Sequence, residues 1–162
     1  MGCILTTAKR IFPQRESLER MPASATTEPT RRCIVIVDDE VSYVELMAQM
    51  LADTLDCQVH PFTRPLEALG GLAKLSAGVV ITDYSMPQMD GVEFVRRASK
   101  VVPKAAFIMI SGHDLEPIQD DIARLKRLKM RMQKPFGCKR LAEAVLKVWP
   151  GKDAPALRPS AE

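Results

Sequence analysis

Between Arg32 and Trp149, five short apolar runs alternate with five amphipathic stretches, and this alternation limits the available folds more than any other feature. The runs are Cys33–Val37, Cys57–Phe62, Val79–Thr82, Ala105–Ile110 and Met130–Gln133. Their length and β-branched content predict strands, most of them buried on both faces. Cys57–Phe62 is weaker and partly alternating, as suits a sheet edge.

The intervening stretches carry helical spacing. Val41, Val44, Ala48, Leu51 and Leu55 make one apolar face. A second helix follows Thr63-Arg64-Pro65, with Thr63 expected as its cap, and Gly70-Gly71 expected to make it the least stable. Gly91 to Val102 buries Val92, Val95, Ala98 and Val102 before Pro103 stops it. Leu115, Ile118, Ile122 and Leu125 mark a fourth helix. Cys138 to Trp149 is the last, ended by Pro150-Gly151. Strands joined by helices demand right-handed crossovers and a parallel sheet covered on both faces. The expected fold is α/β, a flavodoxin-like (βα)5 doubly wound parallel sheet of strand order 2-1-3-4-5, with its switch point between strands one and three.

Chemistry in such sheets gathers outside the carboxyl ends of the strands. The stretch Val79 to Gly91, VVITDYSMPQMDG, places Asp83 there. Taken alone, Asp83 reads equally well as a cap of the following turn. Other strands bring matching groups to the same edge: Asp38-Asp39 after strand one, Ser111 after strand four and Lys134 after strand five. Three carboxylates at one switch point repel and raise one another's pKa, which a hard divalent cation relieves. Mg2+ takes a few carboxylate oxygens, keeps waters and leaves room for a phosphate oxygen. Lys134 can neutralise that phosphate and the Ser111 hydroxyl can donate to it. A carboxylate poised on a metal is a nucleophile toward phosphorus.

Composition narrows the remaining classes. The formal charge of +3 is mild and the basic residues are interspersed with acids, so it does not argue for direct nucleic-acid binding. Cys3, Cys33, Cys57 and Cys138 show no C-x-x-C pairing, which fits reduced thiols in a cytoplasmic protein. No apolar run reaches the ~20 residues of a membrane span. Residues 1–31 read as a flexible extension and residues 150–162 as a disordered tail. Met1 to Thr6 formally fits a myristoylation pattern, but an unmodified tail is the favoured reading, and Met21 is an alternative start.

The acidic pair after strand one, D-x-x-M-P-x-M-D-G after strand three, Ser-Gly after strand four and Lys-Pro-Phe after strand five together resemble the receiver (response-regulator) domain of two-component signalling. The likeness covers residues 32–149. It implies that Asp83 accepts a phosphoryl group from a sensor histidine kinase or a histidine phosphotransfer protein. It implies that Asp39 and Asp83 bind Mg2+ directly, that Asp38 assists through water, and that the Ser85 backbone carbonyl completes the set. Lys134 would contact the phosphoryl group and precede a cis proline, and Ser111 would swing toward Asp83. Such a domain is not an enzyme beyond its own phosphorylation and dephosphorylation. It signals by contact with a downstream protein, and a phosphorylation-dependent homodimer is within the family's range.

One position departs from the pattern. Receivers usually carry Tyr or Phe three residues before the lysine, and here that residue is Arg131. A guanidinium does not enter an apolar pocket unpaired at tolerable cost. The alternative reading is therefore a receiver-like docking module without the phosphorylation-driven switch. Arg131 also joins Lys126, Arg127, Lys129, Lys139 and Arg140 in a basic face, read equally as a solvated surface or a patch for an acidic partner. A dehalogenase-like phosphatase would want a second Asp two residues after Asp83, where this chain has Ser85.

Overall fold

The computed structural model describes residues 32–113 and 118–158. Their strands form one parallel sheet in the order β2-β1-β3-β4-β5, as the alternation of runs requires. In chain order the elements are β1 Cys33–Val37, α1 Val41–Thr54, β2 Val59–Phe62, α2 Pro65–Leu72, β3 Ala77–Asp83, α3 Gly91–Val101, β4 Ala106–Ser111, α4 Gln119–Ala123, β5 Leu128–Gln133 and α5 Cys138–Val148. Successive strand residues serve opposite faces. Ile34, Ile36, Val79, Ile81, Ile108 and Ile110 pack with α1 and α5, while Val35, Val37, Val80, Phe107 and Met109 pack with α2, α3 and Ile122 of α4. All residues of β1, β3 and β4 are buried, whereas edge strands β2 and β5 are partly exposed.

Several boundaries differ from those expected. Thr63 is not the cap of α2. Arg64 takes that position in an extended conformation, as a residue preceding proline must. Val41 opens α1 but is 53% exposed, because it stands at the carboxyl rim where β1 has already ended. The buried face of α1 is Val44, Met47, Ala48 and Leu51. The fourth helix is a short α4, followed by turns that keep Leu125 half-buried against the core. Leu115 lies outside the described residues, as does the whole expected extension, including Cys3.

The segment after Trp149 was expected to be disordered, but its described part packs on the domain. The Asp56 amide donates to the Ala156 carbonyl and the Arg158 amide to the Thr54 carbonyl, each at 2.8 Å. Leu157 bridges Leu55 antiparallel. Arg32 pairs with Asp153 at 3.3 Å and donates to the Pro150 carbonyl. Backbone groups at the end of α1 need partners, and this strap supplies them. Residues 159–162 lie outside the described residues.

The two glycines of α2 are not equivalent. A Cβ on Gly71 would meet the Phe62 ring at 2.5 Å, while a Cβ on Gly70 would meet nothing within 4 Å. Gly71 thus lets α2 lie on β2, and Gly70 contributes only backbone freedom. Gly70→Ala is expected to stabilise the domain by about 0.5–1 kcal/mol in urea unfolding. Gly71→Ala is expected to destabilise it by about 1 kcal/mol or more.

Candidate functional site

The parallel sheet carries Asp38, Asp83, Ser111 and Lys134 to one edge, the carboxyl ends of β1, β3, β4 and β5. β1 and β3 are neighbours, so Asp38 and Asp83 emerge side by side. Both are almost fully buried, at 2% and 6% exposure. Lys134 crosses from the far strand to meet them. Its Nζ lies 2.7 Å from Asp83 Oδ1 and 2.9 Å from Asp38 Oδ2. The peptide bond between Lys134 and Pro135 is cis, as expected.

The remaining oxygens of the two acids are held by backbone. The Ser85 amide donates to Asp83 Oδ2 at 2.6 Å, and the Glu40 amide donates to Asp38 Oδ1 at 3.0 Å. Two buried carboxylates alone would repel, and the ammonium between them supplies the missing counter-charge. Burial pulls the Lys134 ammonium down, but its hydrogen bonds to Asp83 and Asp38 outweigh that, and its pKa ends above the ordinary value.

Local sequence explains the loop after Asp83. The Asp90 side chain caps α3 by accepting from the Glu93 amide at 2.8 Å. Met86 and Met89 turn inward to the core, and Gln88 adopts φ 71 between them. Gly91 packs against the strand end itself. A Cβ there would stand 2.6 Å from the Asp83 carbonyl oxygen and 2.9 Å from Tyr84 Cα. The Asp-Gly pair therefore holds the start of α3 tight against the residue that carries the carboxylate.

Not every expected residue joins the pair. Asp39 is exposed, and among the described residues no three acidic, histidine or cysteine side chains stand close enough to enclose a metal ion. The groups that meet here are the buried Asp38 and Asp83 carboxylates and the Lys134 ammonium. Ser111 is buried, but its hydroxyl is engaged by its own loop. It donates to the His113 carbonyl at 2.9 Å and accepts from the His113 amide at 3.0 Å. Arg131 is exposed on β5 and lines a surface cleft of about 270 Å³ with Ile122 and Leu128. It does not enter the core, in keeping with the cost of burying an unpaired guanidinium.

Tyr43 was not foreseen. Its ring centroid is 4.2 Å from Lys134 Nζ, a cation–π contact that borders the ammonium on the α1 side. In the sequence it falls between Val41 and Val44 and carries no site signal of its own.

A doubly wound α/β domain with a lysine-bridged carboxylate pair at its switch point is the class that fold and site define. The family model for the response regulator receiver domain matches residues 34–146, and the chain belongs to that family. It is similar to a response regulator receiver protein of Anaeromyxobacter sp. (strain Fw109-5), with 31% identity over 69% of this chain and 46% of that protein. It is also 30% identical, over 68% of its length, to the C4-dicarboxylate transport transcriptional regulatory protein DctD of Rhizobium meliloti, covering 24% of that protein. The chain thus spans less than half the length of these two relatives. Among solved structures, the Vibrio cholerae chemotaxis protein CheY4 superposes with a TM-score of 0.67 and 23% identity, over 72% of this chain and 98% of that one, which shows the shared fold. Among the described residues no helix is long and apolar enough to cross a membrane.

Removing the ammonium leaves two buried charges uncompensated. Lys134→Met is expected to cost about 2–4 kcal/mol at neutral pH by urea unfolding. The sign of the wild-type pH dependence follows from the raised lysine pKa. The pair's contribution is fully present below 10.5, the ordinary lysine value, and is lost as pH rises through the higher folded value. The wild-type urea midpoint should therefore fall more steeply above pH 10.5 than that of Lys134→Met.

Proposed function

We propose that this receiver domain accepts a phosphoryl group on Asp83 from a phosphohistidine of a sensor kinase or a histidine phosphotransfer protein. The supporting observation is the Lys134 bridge between the Asp83 and Asp38 carboxylates at the exposed end of the sheet. An Asp83 oxygen attacks phosphorus, the phosphorus–nitrogen bond of the donor breaks, and the imidazole nitrogen keeps the electron pair and is then protonated. Lys134 moves its charge from the acids to the incoming phosphoryl oxygens, and the Ser85 amide stays on the other Asp83 oxygen. The Ser111 hydroxyl leaves its loop contact to donate to the phosphoryl group.

The donor set suits Mg2+, since every candidate ligand is a hard oxygen. Asp38, Asp39, Asp83 and the Ser85 carbonyl are the groups that would hold it, with Asp39 turning inward from its exposed position. The ion supplies neutralisation of the phosphoryl charge. The signal then passes by contact with another protein, and pairing of two phosphorylated copies belongs to the same reading.

The exposed Arg131 favours a second reading, a docking module that binds without a phosphorylation switch. Acetyl phosphate with Mg2+, and a phosphorylated kinase as an alternative donor, separate the two. Intact mass is expected to show one added phosphoryl group on the wild type and none on Asp83→Asn. No adduct from either donor would leave only the docking module.

A further inference from the structure

The edge of the sheet opposite Asp83 carries a concentration of charge that phosphoryl chemistry does not use. Between Arg124 and Arg131 the sequence reads RLKRLKMR, five cations and no acid, and the last turn of α3 and the loop entering β4 add Lys100 and Lys104. In the fold these segments line two adjoining clefts at the amino ends of β4 and β5. One, of about 380 Å³, lies between Lys104, Arg127, Lys129 and Lys147, with Ala105, Ala106, Met130 and Val148 along it. The other, of about 420 Å³, lies between Arg96, Lys100, Arg124 and Lys126, with Val95 and Leu125 along it. Arg127 lines both.

Acids neutralise only the outer margin of this surface. Glu93 takes Arg96 and Arg97, and Asp121 approaches Arg124 at 3.9 Å. Among the described residues Lys100, Lys104, Lys126, Arg127, Lys129 and Lys147 have no ion-pair partner, and all six are exposed. Lys129 donates only to the Lys126 carbonyl, at 2.9 Å. Placing this many like charges around two clefts costs self-repulsion, which an anionic occupant relieves.

We propose that the paired clefts bind an acidic segment of a partner protein, its carboxylates meeting the lysines and arginines and an apolar side chain resting along Ala105, Met130 and Val148. Charge complementarity selects an anion, and the apolar strip selects a peptide. Single-stranded nucleic acid needs aromatic platforms on which bases stack, and no Phe, Tyr or Trp lines either cleft. The clefts lie at the end of the sheet remote from Asp83, so the acidic segment and a phosphoryl donor can be bound together. The inference does not depend on the phosphorylation reading.

The test is fluorescence anisotropy of the full chain with a labelled short peptide of alternating acidic pairs and leucines. Expected are saturable binding, weakening with ionic strength, and weaker binding when serine replaces leucine in the peptide. Arg127→Glu/Lys129→Glu should lose about tenfold or more in affinity. Lys104→Gln/Lys147→Gln, which neutralises the opposite wall, should weaken binding in the same direction with unchanged thermal unfolding. Asp83→Asn should bind as the wild type does, so failure here and failure of phosphotransfer are told apart. No binding by the wild type, or wild-type affinity in both cleft variants, would overturn the proposal. Tighter binding of an oligonucleotide of matched charge, or of anionic lipid vesicles, would overturn it in favour of that ligand.

Discussion

Two carboxylates buried side by side are stable only if a positive charge is held between them, and the rest of this domain is arranged to hold it. Lys134 reaches Asp38 and Asp83 at 2.9 and 2.7 Å from a strand two positions away from β3. Strand order alone permits this. With β1 and β3 adjacent, the acids meet, and β5 brings the ammonium across β4. The arrangement gives each carboxylate a cationic partner while most of its surface is removed from water.

That balance is supported from below and from the side. The fully buried strands β1, β3 and β4 set the spacing of the edge. Gly91 lets α3 begin in contact with the Asp83 carbonyl, and the Asp90 cap fixes the direction in which it leaves. Tyr43 covers the lysine from α1. The opposite end of the sheet has a different character. There the strap after Trp149 completes the backbone bonding at the end of α1, and cations, most of them without an ion-pair partner among the described residues, surround the clefts beside β4 and β5. The lysine-bridged acids and the basic clefts thereby stand at opposite ends of the same strands.

Most of the architecture was legible before any coordinates, because apolar runs of strand length alternating with 3.6-period faces leave few topologies open. Where boundaries moved, local backbone chemistry was the cause. Pro65 forced Arg64 into an extended conformation and so displaced the expected Thr63 cap. At its carboxyl end the fourth helix stops at Ala123, and turns rather than helix carry Leu125 to the core. The polar composition of the strap hides a backbone role: it serves open amide and carbonyl groups, which no side-chain pattern announces.

The sequence by itself determined which chemical groups are available and which strand end delivers each, since strand-end residues follow directly from the apolar runs. Only the tertiary structure decided how those groups are shared. It set Lys134 on both acids, left Asp39 exposed, turned the Ser111 hydroxyl onto His113 and brought Tyr43 over the ammonium. The reason is that burial and partner choice depend on distances between residues far apart in the chain. A charge finds the nearest counter-charge in space, and spacing along a sequence does not specify which one that is.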